Sequence, residues 1–175
     1  MTTFTLAGGC FWCLDGVYRQ LRGVTSVVSG FAGGSEADAD YYRVASGYTS
    51  HAECVQVTFD PDVVPIEAIL DLFFLSHDPT SLNRQGADEG TQYRSAMFYA
   101  NDEQLGVFRG AIEKAQKNWD KPIVTTLEPL NGFYPAPAEH QDYFGQNPGN
   151  PYCSIVIVPK VLKARQVYKA WIKEK

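Results

Sequence analysis

The stretch Thr3–Leu21, "TFTLAGGCFWCLDGVYRQL", decides the first unit of the fold. Its opening residues, "TFTL", are β-branched and apolar and read as a short strand that stops at Gly8-Gly9. From about Cys10 to Leu21, the spacing of Leu14, Val17 and Leu21 marks one apolar helical face, and Gly23 suits the helix end. Cys10 therefore falls where strand passes into helix. Unpaired N–H groups and the positive dipole end favour a thiolate there. Cys13 lies one turn on, on roughly the same face. Strand, Gly-Gly, Cys and helix together read as the placement of a nucleophile rather than of an inert buried thiol. Phe11 and Trp12, the rings between the thiols, suit a soft apolar group such as a methyl or thioether, unless one of them packs into the core.

Outward from this unit the chain alternates. "VTSVVSGF" reads as a second strand, and Gly33 to about Ser50 as a long polar loop bearing tyrosines. In "ECVQVTFDP", Val55, Val57 and Phe59 alternate with Cys54, Gln56 and Thr58, which marks a strand ended by Asp60-Pro61. Pro65 opens a helix carrying Ile66, Ile69, Leu70 and Phe73 inward. A second long loop runs from His77 to Tyr93, followed by the strand "RSAMFYA". Asn101 with Gln104 makes a capping box for a helix through Asn118, and "IVTTLEPL" is a further strand. The order is β-α-β, β-α-β and an α-β addition: an α+β fold, expected as a two-layer ferredoxin-like (split β-α-β) sandwich. The whole chain, residues 1–175, reads as one catalytic domain. An extended irregular tail is expected from about residue 128, and a C-terminal helix over about 160–173. Loops of this length in a compact domain point to function.

The bulk numbers narrow the classes. A net charge of -5, with no basic run, argues against nucleic-acid and membrane partners. The N-terminal "MTTFTLAGG" lacks the pattern of an export signal, and no apolar stretch approaches the ~20 residues of a membrane span. Four cysteines then suggest a reducing, cytoplasmic location. His51, His77 and His140 have no Cys or His neighbours at ligand spacing, so no metal and no cofactor are expected. His51 is expected to order the loop before the Glu53 strand, and Cys54 to be a packed side chain. From the residues alone three readings stay open: an enzyme whose nucleophilic cysteine acts on a soft apolar group, a general CxxC thiol-disulfide oxidoreductase, and a non-catalytic aromatic cage.

Four segments in order, "GCFWC", "YTSHAECVQVTFDP", "HDPTSLNRQGADEGTQYRS" and "AEHQDYFGQNPGNPYC", closely resemble the class A peptide-methionine sulfoxide reductases. The resemblance runs from about Thr3 to Lys163. It implies reduction of the S epimer of methionine sulfoxide, free or in proteins, with thioredoxin as the usual reductant. It implies Cys10 as nucleophile, Glu53 as the acid, Tyr41 and Tyr93 as hydroxyls at the sulfoxide oxygen, and Asp88 as the pocket aspartate. Phe11 and Trp12 would hold the methyl group. The chain departs from the family pattern at Cys13, where many members carry Gly, at "EADADY" before the loop tyrosine, and at Ser50. Cys153 matches the family's tail cysteine and is expected to resolve the oxidised Cys10, with Cys13 as alternate or relay.

Overall fold

The computed structural model describes residues 1–173. Strand β1 (Thr2–Gly8) leads into helix α1 (Phe11–Tyr18) and strand β2 (Val24–Ala32). Helix α2 (Tyr41–Ala45) precedes β3 (Ala52–Phe59) and helix α3 (Ile66–Leu75). A two-residue hairpin, β4 (Arg84–Gln85) and β5 (Asp88–Glu89), precedes β6 (Ser95–Tyr99) and helix α4 (Asp102–Gln116). Strands β7 (Thr126–Pro129) and β8 (Phe133–Pro135), a short helix α5 (Tyr143–Gln146) and helix α6 (Val158–Val167) complete the chain.

The fold is mixed α+β. Six strands form one sheet in the order β7-β6-β1-β3-β2-β8. All pairs are antiparallel except β6–β7. Strand alternation gives the sheet two unlike faces. Phe4, Leu6, Val27, Val55, Val57 and Phe59 belong to the main core with α1 and α3. Each such buried side chain is worth about 1.5–3 kcal/mol. The other face carries small residues, Ala7, Ala32, Ala52, Cys54 and Ala96, around Phe98. Cys54 is a packed side chain there, and burial pushes its thiol up. β3 lies between β1 and β2, so a residue at its start faces the beginning of α1.

Three expectations need correction. The tail from residue 128 is not uniformly irregular, because β8 pairs with β2 at one edge of the sheet, while β7, inside the expected strand "IVTTLEPL", pairs with β6 at the other. The terminal helix stops at Val167, short of 173. Tyr168 leaves the helical region, and Ile172 then bridges to Leu21. The loop from Gly33 to Ser50 contains α2, whose N-cap Asp40 accepts hydrogen bonds from the N–H groups of Tyr42 and Arg43. The cap at Asn101 forms as read: its side chain accepts from Gln104 N at 2.9 Å, and Gln104 reaches back to Ala100 N at 3.0 Å.

Candidate active site

The turn between β1 and α1 leaves no room for side chains. Gly9 has φ +91, and a Cβ there would meet Gln85 at 2.8 Å. A Cβ on Gly8 would press on the ring of His77 at 3.0 Å. His77 is buried; its Nδ1–H donates to Phe73 O at 2.6 Å, and its Nε2 accepts from Ser95 at 2.7 Å. Burial lowers its pKa to about 4, so it is a neutral strut. Cys10 follows as the N-cap of α1, half-buried, with Cys13 N donating to Cys10 O at 3.1 Å.

Cys10 does not cap the helix with its own side chain. Glu53 does so from β3: its Oε1 accepts from Phe11 N at 3.2 Å. The carboxyl is 2% exposed. Burial raises its pKa to about 8 against the Phe11 N–H, with the charge of Asp88 adding to the rise. Near neutral pH it holds its proton. The Cys10 thiol is also pushed well up, first by burial, then by Glu53 and Cys13, with the Trp12 N–H and the Tyr152 hydroxyl opposing the rise. The resting group is therefore a thiol. A helix terminus offers ~0.3–1 kcal/mol, whereas taking a charge out of water costs several, so desolvation wins before substrate arrives.

The loops bring the remaining expected residues to this point. Tyr41 opens α2; its ring stacks on His140 at 4.0 Å and lies parallel to Phe11 at 6.4 Å. Burial and the charges of Glu53 and Cys10 raise its hydroxyl to about 12. Tyr93 ends the short helical turn Thr91–Tyr93, and burial, then Glu53, Asp88 and Cys10, raise it too. Both are kept as neutral donors. Asp88, on β5, accepts a hydrogen bond from Tyr152 OH at 3.2 Å.

The two rings of "FW" separate. Phe11 is fully buried and packs on Phe31 at 5.7 Å, so its side chain belongs to the core while its N–H serves Glu53. Trp12 is half-buried, stacked on Tyr143 at 3.7 Å, with Nε1–H donating to His140 Nδ1 at 3.3 Å. Tyr152 stands edge-on to it at 5.7 Å. Cys153, expected as the resolving thiol, belongs to no irregular segment. It lies in the π-helical turn Cys153–Ile157 and is fully buried.

Four residues escaped the sequence reading. His140, Tyr143 and Tyr152 wall the site from the tail. Asp15 anchors that tail: buried on α1 and paired with Arg19, it accepts from Ser29 Oγ at 3.0 Å and from Asp142 N at 3.2 Å. The tyrosines of "DYF" and "PYC", both in the tail, were the available signal. His51 does order its loop, accepting from Gly34 N at 3.2 Å and donating to Ser35 O at 2.7 Å.

A buried acid facing a thiol, with neutral hydroxyls beside it, can protonate an oxygen while sulfur attacks the atom that bears it. The sequence and the fold match known proteins. The profile of the peptide methionine sulfoxide reductase family matches residues 2–172. The peptide methionine sulfoxide reductase MsrA of Paenarthrobacter aurescens is 56% identical over 172 residues, covering 98% of this chain and 99% of its own. Among solved structures, Mxr1 from Saccharomyces cerevisiae in its reduced form superposes with a TM-score of 0.82 at 38% identity, covering 87% of this chain and 88% of that one. Mxr1 in complex with Trx2 gives a TM-score of 0.57 at 29% identity, over 81% of this chain and 84% of that one. On the evidence of its sequence and its fold, this chain belongs to the peptide methionine sulfoxide reductase family.

Proposed function

We propose that this protein reduces methionine S-sulfoxide, free or within proteins, to methionine, and that a thioredoxin-type dithiol restores it. The observation that carries the reading is Glu53. A carboxyl kept protonated to about pH 8, buried against the start of α1 beside Cys10, has the form of an acid for a leaving oxygen. Family membership and the yeast Mxr1–Trx2 complex support the reductant class.

The sulfoxide methyl lies against Trp12, with its oxygen among Glu53, Tyr41 and Tyr93. The Cys10 thiol gives up its proton as its sulfur attacks the sulfoxide sulfur, and Glu53 gives its own proton to the sulfoxide oxygen. The sulfur–oxygen bond breaks as the oxygen passes to the Cys10 sulfur, the transient sulfur–sulfur bond breaks, methionine leaves with its electron pair, Glu53 recovers the proton that Cys10 gave up, and Cys10 is left as a sulfenic acid. Asp88 holds Tyr152 over the thiols. For the second thiol the geometry favours Cys13, because the 3.1 Å turn from Cys13 N to Cys10 O keeps the pair within disulfide reach. Cys153 stands second in order, since the π turn has to open before its buried sulfur can act.

The strand order β6-β1-β3-β2, all antiparallel, supports the split β-α-β reading of a single catalytic domain. Four unbridged thiols suit a reducing cytoplasm. No helix among the described residues is long and apolar enough to cross a membrane.

The test is turnover of separated methionine sulfoxide epimers with thioredoxin and its reductase. Turnover of the S epimer is expected; turnover of the R epimer alone would overturn the reading. Trp12→Ala should raise KM for the sulfoxide far more than it changes Cys10 alkylation by iodoacetamide. Parallel losses in both would show that Trp12 only supports the helix. Cys13→Ser should stop disulfide formation at Cys10 after a single turnover, whereas Cys153→Ser should leave it in place. A Cys10–Cys153 bridge as the dominant cross-linked peptide from wild type would reverse that order.

A further inference from the structure

Two loops supply the tyrosines of the site, and a buried side chain joins them. Tyr41 opens α2, a helix of five residues, too short to hold its place by its own hydrogen bonds. Tyr93 ends the turn Thr91–Tyr93. Its neighbour in that turn, Gln92, is 4% exposed, and its Nε2–H donates to Ala45 O at 3.3 Å. Ala45 is the last residue of α2, where helical carbonyls lack partners within the helix. Only the N–H side of an amide can face a carbonyl, which fixes how the Gln92 side chain is turned. Glycines on both loops make room for it. A Cβ on Gly47, just past α2, would touch Gln92 Oε1 at 3.5 Å, and a Cβ on Gly90 would collide with it.

The same amide leaves an oxygen unpaired. Gln92 Oε1 is buried and has no hydrogen-bond partner among the described residues. An unpaired buried oxygen is destabilising, and an apolar side chain of similar size would avoid it. Stability therefore gives no reason for glutamine at this position, whereas the link between the loops does. Arg94, which follows Tyr93, ties the turn elsewhere: it reaches Ser50 O and Glu128, both outside α2.

We propose that Gln92 is a positioning residue of the sulfoxide step: by tying the end of α2 to the Tyr93 turn, its amide holds the Tyr41 and Tyr93 hydroxyls at the spacing that one sulfoxide oxygen requires. This rests on the reductase reading above. From Ala45 back to Tyr41 is one helical turn, about 6 Å along the axis, so a shift at the tie carries directly to Tyr41. Gln92 acts through the hydroxyls, so its loss slows reduction only where the hydroxyls are present. A displacement of about 1 Å can lower a rate by about 100-fold, which sets the expected loss at roughly 10- to 100-fold. Ala45 is exposed, so water can take over its carbonyl once the amide is gone.

The experiment uses Gln92→Met and Gln92→Leu, which fill the buried volume without the N–H. Each is made as a full chain in wild type and in a Tyr41→Phe, Tyr93→Phe background. Reduced protein is mixed with one equivalent of methionine S-sulfoxide, and three quantities are read: the rate of methionine release, Cys10 alkylation by iodoacetamide, and Tm. In wild type either substitution should slow methionine release by roughly 10- to 100-fold, with alkylation unchanged and Tm no lower. In the background without the two hydroxyls, the same substitution should change the release rate by less than about twofold. Equal fold losses in both backgrounds would overturn the proposal, and so would wild-type release rates in the folded variants. A lowered Tm, slowed alkylation or failure of both variants to fold would overturn it too, since each makes Gln92 a support of the fold. Absence of methionine from wild type would overturn the reductase reading itself, and the proposal with it.

Discussion

Glu53→Gln is expected to slow single-turnover reduction of methionine sulfoxide by ~100- to 10,000-fold while leaving substrate binding nearly intact. The amide can still accept the Phe11 N–H that holds the start of α1, so the local fold has no reason to change. It can also donate a hydrogen bond to the sulfoxide oxygen. It cannot deliver a proton. The same variant carries a signed pH effect. In wild type the carboxyl ionises at about pH 8, and its charge then opposes ionisation of Cys10. Glutamine removes that charge, so Cys10 alkylation should begin at lower pH than in wild type, although burial still holds it above an ordinary thiol. Wild-type single-turnover rates in the variant would show that Glu53 is only the cap of α1.

Cys10→Ser is expected to abolish reduction. An alcohol at neutral pH is a far weaker nucleophile than a thiolate, and its oxygen cannot accept sulfoxide oxygen to form a sulfenic acid. The side chain is half-buried and makes no cap hydrogen bond, so unfolding stability should stay within about 1 kcal/mol of wild type. Methionine production above the uncatalysed level by the folded variant would sink the assignment of the nucleophile.

Much of this architecture is legible in the sequence, for identifiable reasons. β3 could be read because Val55, Val57 and Phe59 alternate against a helix layer, and alternation follows from the pleat. Its phase puts Glu53 on the same face as those three, toward α1, so the placement of the acid follows from the placement of the strand. The β1–α1 turn could be read because only glycine fits φ +91 at Gly9. The edge strand β8 and the five-residue α2 were hard to read because their stability comes from partners distant in sequence. Periodicity carries no such information. The tail was misjudged for a related reason. It was expected to be extended and irregular, yet Asp142 N is held by buried Asp15, while Tyr143 stacks on Trp12 and Cys153 sits in the core. The charge state of Cys10 was out of reach as well. Position at a helix start is visible in a sequence, but the burial that outweighs it comes only with the fold, which also brings remote Glu53 to add to the rise.

The central claim is that Cys10 takes oxygen from methionine S-sulfoxide with Glu53 as the acid. The most direct measurement mixes the reduced full chain, without external reductant, with one equivalent of each separated epimer. Methionine is then quantified, and the oxidised cysteine is located by mass spectrometry after dimedone trapping. The S epimer should release stoichiometric methionine with the trapped adduct on Cys10, and Glu53→Gln should delay both together. Methionine formed with no oxidation at Cys10, or an adduct first appearing on Cys13 or Cys153, would contradict the account.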